Sequence, residues 1–264
     1  MVSRRRRAPL VAGVIAAALG GCVPFATPPG PVVADRPGYT DTPTALPAGA
    51  VQLEAGITDD RVQDTRYVSA GETLLRLGVG AKAELRLFGN SYATRTISGS
   101  PRRGGIEDPK IGAKLNLRAV PDTVHAWLPN VAALAAITLP VGASGFGATR
   151  AQPEAKVAAN WTTPSPLSAY TNFGYGRTYD GARWGSHAWM SLALWYAANP
   201  RVSLFGEGLA VGRLQGGATA GNDLDAGVTF LLTDRFQLDM RVGRGVGSET
   251  SHERFIGAGL ARRW

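Results

Sequence analysis

Three segments between Asn222 and Trp264 alternate in polarity residue by residue, and that period leaves few folds open. Leu224, Ala226, Val228, Phe230 and Leu232 interleave with Asp223, Asp225, Gly227 and Thr229. Phe236, Leu238, Met240 and Val242 interleave with Gln237, Asp239, Arg241 and Gly243. Ile256, Ala258, Leu260 and Trp264 interleave with Phe255, Gly257, Gly259 and Ala261. A period of two belongs to strands with two unlike faces. Only Thr233 and Asp234 separate the first two segments, so they read as a tight hairpin.

An aromatic last strand after tight hairpins is what a barrel in an outer membrane uses to close. The bulk numbers agree. No apolar run is long enough to cross a bilayer as a helix. A chain that spans lipid without helices must close its sheet into a barrel, because only then is every backbone group paired. Charged residues make up 18% of the 264 and glycine is abundant, at 34. Arg4 to Arg7 carry four of the eight net positive charges, and the rest are scattered, which argues against nucleic acid. A single cysteine excludes an intramolecular disulfide framework. No spacing of metal ligands stands out, and no cofactor is expected.

The amino-terminal residues read as an export address. Arg4 to Arg7 form a basic region and Ala8 to Leu19 a short apolar one. Leu19-Gly20-Gly21-Cys22 resembles a bacterial lipobox, which makes residues 1–21 a lipoprotein-type signal peptide and Cys22 the lipidated residue. The other reading is an incidental cysteine in an ordinary signal. Residues 22–47 are rich in proline and read as an extended linker, lying in the periplasm or in the mouth of a barrel over 48–264.

About twelve strands of roughly ten residues follow, a length that suits tilted barrel strands. They are expected near 48–58, 71–79, 83–92, 107–118, 130–140, 152–162, 167–177, 184–197 and 201–213, then the three above. Long connections are expected near 59–70, 93–106, 141–151, 178–183, 214–221 and 246–252, with tight turns between most of the others. The connection at 119–129 is longer than that rule allows. Long–short alternation is the pattern of an antiparallel transmembrane barrel with both termini in the periplasm. On this register Trp161, Tyr196, Phe236 and Trp264 point outward at the turn end, where an aromatic girdle meets the lipid headgroups. Arg262 also points outward there.

Two stretches carry a family likeness. One is Asp35-Arg36-Pro37-Gly38-Tyr39-Thr40-Asp41-Thr42-Pro43 with Leu46 to Gly56. The other is in three pieces, Leu74 to Val79 and Glu84 to Leu87 in one hairpin and Gly105 to Lys114 in the next segment. Together they resemble the phenol meta-pathway family of outer-membrane barrels. The resemblance implies an outer-membrane barrel passing small, often aromatic, hydrophobic compounds.

The residues facing the lumen on this register are mixed. Polar candidates are Glu54, Arg76, Arg86, Lys110, Lys114, Lys156, Glu207, Asp225, Asp239 and Arg241, with Arg201 also expected inward. Apolar and aromatic ones are Phe88, Tyr170, Trp189, Trp195, Phe205 and Phe255. Buried charges need partners, so one reading is a salt-bridged filling in a plugged barrel whose loops meet partners or envelope lipids. The other is a selective path, since an apolar stripe beside polar groups suits a small amphipathic ligand. The expected partners are outer-membrane lipid, the barrel-assembly machinery through the last strand, and small hydrophobic solutes.

A lipid hydrolase is the remaining class. His125 and His252 lie in connections. Ser186 and His187 are adjacent in a strand and point to opposite faces, so they form no nucleophile–base pair. Ser191 shares a face with His187 but lies two residue pairs away. Gly142-Ala143-Ser144-Gly145-Phe146 misses the nucleophile elbow at its last position and precedes no helix. No catalytic residue is assigned.

Overall fold

The computed structural model describes residues 30–89, 91–120, 127–163, 165–215, 220–247 and 253–264. Cys22, the signal segment, His125 and His252 lie outside them. No helix among the described residues is long and apolar enough to cross a membrane.

The strands are β1 (Val51–Val62), β2 (Thr65–Gly78), β3 (Ala83–Phe88), β4 (Tyr92–Ile97), β5 (Arg103–Ile106), β6 (Lys110–Arg118) and β7 (Asn130–Thr138). They continue with β8 (Gln152–Thr162), β9 (Leu167–Tyr179), β10 (Trp184–Asn199), β11 (Val202–Gln215), β12 (Gly221–Thr233), β13 (Phe236–Gly245) and β14 (Arg254–Arg263). β2 pairs with β3 through Leu74–Gly78 and with β4 through Thr65–Ala70, so β3 and β4 are two halves of one stave. β5 and β6 are likewise one stave, interrupted at Pro109, which has no N–H to give a ladder. Neighbouring staves are antiparallel, and β1 pairs with both β2 and β14, so the sheet closes as a barrel of twelve staves.

Polarity across the wall is inverted relative to a protein dissolved in water. The largest fully buried side chains include Arg76, Lys114, Gln52, Glu54 and Glu84. Leu224, Met240, Val242, Ile256, Leu192, Leu194 and Ile111 are exposed on the outside. An uninterrupted apolar exterior of this extent is stable in hydrocarbon, where the closed ladder leaves no backbone group unpaired.

The loop end differs from the expected one in two places. Residues 59–70 are no long loop: β1 and β2 run on to a hairpin over Gln63-Asp64, with Gln63 at φ 53°. Residues 93–106 form β4 and β5 with a short connection between them. Both stretches carry polar side chains on both faces among few apolar ones, so the period-two signal fades there. At the other end the carboxy-terminal Trp264 donates its N–H to the Val51 carbonyl at 2.9 Å.

Four rings inside the barrel lie against glycines on the next strand. Trp189, Phe205, Phe255 and His187 are paired in register with Gly174, Gly227, Gly243 and Gly176. A Cβ at Gly174, Gly227 or Gly243 would overlap the facing ring. Glycine at these positions lets a large ring lie along the wall instead of standing across the lumen.

Candidate functional site

The prolines at 31, 37, 43 and 47 keep residues 30–50 out of any regular element. The segment must find partners for its backbone elsewhere. It finds them in the lumen. Val32 N–H donates to the Asp234 carbonyl at 2.8 Å, and Gly49 N–H to the Gly78 carbonyl at 2.9 Å. Both contacts are at the turn end. Between them the segment rises to Tyr39–Asp41, crosses the lumen and returns. It is a plug.

The plug matches an uneven wall. Arg76, Arg86, Lys114 and Lys156 make the wall of β2, β3, β6 and β8 basic. Glu207, Asp223, Asp225 and Asp239 make the wall of β11 to β13 acidic. Asp35 faces the basic side. Its carboxylate stands 2.9 Å from Lys114 Nζ, 3.5 Å from Arg76 and in contact with Arg86. It also accepts the Thr42 N–H at 2.8 Å, which closes the loop of the plug. Arg76 bonds Glu54 at 3.1 Å and Glu84 at 2.9 Å and donates to the carbonyls of Val33 and Thr44. Glu54 in turn accepts the N–H groups of Asp35 and Arg36 at 3.0 and 3.1 Å. Asp41 pairs with Lys156 and, at 3.3 Å, with Arg86. Its backbone exchanges two bonds of 3.0 Å with the Asn172 amide.

These charges fix protonation in the plug. Burial by itself would raise the Asp35 carboxyl, but Arg76, Lys114 and Arg86 outweigh it and hold it well below the usual carboxylate range. Asp41 is buried too, and Lys156 with Arg86 keeps it lowered.

Arg36 faces the other way. Gly71, Gly56, Gly259 and Asp239 stand side by side on β2, β1, β14 and β13. The Arg36 guanidinium lies in the trough this row makes, and a Cβ at Gly56 or Gly259 would overlap it. Glu72 closes one end at 2.8 Å and Asp239 the other at 3.7 Å. Glu72 reaches inward because β2 bulges: Gly71 has φ 107° and Glu72 φ 22°. Further up, Glu207 accepts the Tyr39 N–H at 2.6 Å and contacts the Thr40 hydroxyl, which stands 2.7 Å from Ser191 Oγ.

Rings line the lumen on both sides of the plug. Towards the turns, Trp195 stacks on Phe205 at 4.8 Å and meets Tyr170 at 6.2 Å. Towards the loops, Phe88 lies under Arg86 and Lys110, and Lys110 pairs with Glu154 at 3.0 Å. A 120 Å³ cavity opens beside Phe88, Leu134 and Lys156. Arg241 covers both Tyr39 and Phe255 at 5.2 and 5.1 Å and stands 3.7 Å from Asp225. Loop residues 141–148 fold back because Asp108 accepts the N–H groups of Val141, Gly142 and Ala148. This sets Phe146 at 6.2 Å from Tyr67 at the rim. The Gly142–Phe146 stretch is therefore a folded loop, not a nucleophile turn.

The register places Glu54, Arg76, Arg86, Lys110, Lys114, Lys156, Glu207, Asp225, Asp239 and Arg241 on the lumen side, with Phe88, Tyr170, Trp189, Trp195, Phe205 and Phe255. Trp161, Tyr196, Phe236 and Trp264 are on the outer face at the turn end, with Arg262 over the Trp264 ring at 5.2 Å. Arg201 is not in the lumen: it sits at a turn and donates to the Leu232 carbonyl at 2.8 Å. His187 stacks on Trp189 at 5.4 Å, and Ser191 faces Thr40. Period alone does not reveal the plug's side of the site, because Asp35, Arg36 and Asp41 sit in a stretch with no period. The available signal was two acids and a base in an otherwise small and proline-rich segment.

The sequence profile of the family described as "Putative MetA-pathway of phenol degradation" matches residues 34–264. No curated protein matches the chain. Among solved structures, the NanC porin superposes with a TM-score of 0.52 at 7% identity, covering 80% of this chain and 97% of that one. The KdgM porin gives 0.51 at 8% identity, covering 81% and 98%. At such identities the likeness is one of fold, a closed antiparallel β-barrel of the outer-membrane kind; with the apolar outer wall it supports a location in the bacterial outer membrane.

Proposed function

Since this chain belongs to that phenol-degradation family, we propose that it carries small hydrophobic or amphipathic compounds, aromatic ones included, across the outer membrane. Passage is restricted, and the chain's own residues 30–50 control it. The observation that carries this reading is the lumen itself. Rings at Phe88, Trp189 and Phe255 line the loop side, rings at Trp195, Phe205 and Tyr170 the turn side, and a polar plug lies between. Apolar faces beside fixed charges suit a molecule with a ring and a polar group better than a sugar or a bare ion.

A permanently plugged barrel that serves as a surface for partners is the second reading, and the buried network around Asp35 favours it. Flux separates the two. Proteoliposomes should take up a small phenol faster than protein-free liposomes, and Arg36→Ala should raise the rate. Equal rates for both proteins and for empty liposomes would leave only the structural barrel. The hydrolase reading has no support in geometry: Ser191 is engaged with the plug, and His187 is stacked on Trp189.

A further inference from the structure

A cavity of 180 Å³ lies on the loop side of the plug, between Tyr39 and the wall. Its rings are Tyr39, Tyr67 and Phe255; its polar groups include Thr58, Asp60 and Arg241. The volume suits a single ring, since a cavity of about 150 Å³ lined by apolar groups takes up benzene. Two polar atoms at its edge are buried without a hydrogen-bond partner, the Thr58 hydroxyl and Arg241 Nε. Such atoms are costly unless something satisfies them. The acidic groups decide the ligand's charge. Asp60 and Glu72 line the cavity, with Glu72 paired to Arg36 at 2.8 Å, and Arg241 is already opposed by Asp225. A carboxylate would meet more negative than positive charge there. A hydroxyl or an amine can donate to a carboxylate and, as a hydroxyl, accept from Arg241 Nε or Thr58.

The geometry points to a capture site for a one-ring molecule bearing a hydroxyl or amine, and not for an aromatic carboxylate. This rests on the proposed role in passage, and it adds a consequence for control. Tyr39 belongs to the plug, so the site is complete only while the plug is docked. A ligand that contacts Tyr39 must therefore favour the docked plug, and docking must favour the ligand by the same factor. The solute is held at the plug before the plug leaves.

Fluorine NMR on the full chain in detergent tests this with 4-fluorophenol, 4-fluoroaniline and 4-fluorobenzoate as probes. The phenol and the aniline should bind saturably, and the benzoate about tenfold more weakly or worse. Tyr67→Ala and the nearly isosteric Thr58→Val should each weaken the phenol several-fold. Arg36→Ala, outside the cavity, should weaken it too, because it loosens the plug. Labelling of Pro43→Cys by a maleimide, in a Cys22→Ser background, should slow when 4-fluorophenol is added. Equal binding of all three probes, or phenol binding unchanged in folded Tyr67→Ala and Thr58→Val, would overturn the site. Labelling that does not slow would overturn its link to the plug. Saturable binding without flux in proteoliposomes would sink the proposed passage and leave the site standing; flux without saturable binding would do the reverse.

Discussion

The Glu72 carboxylate stands 2.8 Å from the Arg36 guanidinium, and its own backbone is turned to φ 22° to put it there. A left-handed conformation at a residue with a side chain costs about 1 kcal/mol or more and persists only where surrounding contacts impose it. Here the contact is between the wall and the plug. The bulge in β2, the glycine trough and the two flanking carboxylates all serve one arginine.

Filling that trough should therefore loosen the plug without touching its sequence. In Gly56→Ala the new Cβ overlaps the Arg36 guanidinium and displaces it from the trough, away from Glu72 and Asp239. A shift of about 1.4 kcal/mol would raise the undocked population roughly tenfold. Single-channel recordings in planar bilayers should show more frequent openings than the unaltered protein.

Asp35→Asn should act more severely. It leaves Arg76, Arg86 and Lys114 facing one another with one carboxylate fewer. Breaking a buried pair from one side costs about 3–5 kcal/mol. Protease cleavage within residues 30–50 should become fast in the variant and stay slow in the unaltered chain.

The pH dependence follows from the same carboxyl. Its folded-state pKa is depressed, so its contribution to docking is fully present above the unfolded value and is lost as pH falls through the folded one. Asp41 shifts in the same direction. The plug should stay docked from neutral pH down to about pH 4, near an ordinary carboxylate's pKa. Openings that rise between about pH 7 and pH 5 would assign control to other groups.

The two faces of β13 should respond unequally to charge. Met240 is exposed on the outer wall, and Met240→Arg places a cation against hydrocarbon at a cost of about 2–4 kcal/mol near mid-membrane. Gln237→Arg, on the lumen side of the same strand near the turn end, should cost far less. Urea titration of protein folded into phosphatidylcholine vesicles compares them.

How much of this was legible in the sequence depends on where lipid acts. Leu238, Met240 and Val242 alternate with Asp239 and Arg241 because hydrocarbon demands it, and the strands of that band were readable. Asp59 to Tyr67 carry few apolar side chains and alternate in nothing, so a hairpin over Gln63-Asp64 looked like a loop. The inward side of Glu54 and Arg76 followed from period alone. Their partners did not, because Asp35 and Arg36 reach them through the lumen from a segment whose prolines erase any period. A glycine such as Gly56 reads as a kink in one strand; only its register with Gly71 and Gly259 reveals a trough.

The most direct measurement locks the plug in place. Thr40 Oγ1 stands 2.7 Å from Ser191 Oγ, so Thr40→Cys with Ser191→Cys, in a Cys22→Ser background, positions two thiols to join. Flux of 4-fluorophenol into proteoliposomes would be followed before and after reduction. Flux should be near that of empty liposomes when oxidised and should rise when a reductant frees the plug. Equal flux in both states would contradict a lumen closed and opened by its own amino-terminal segment.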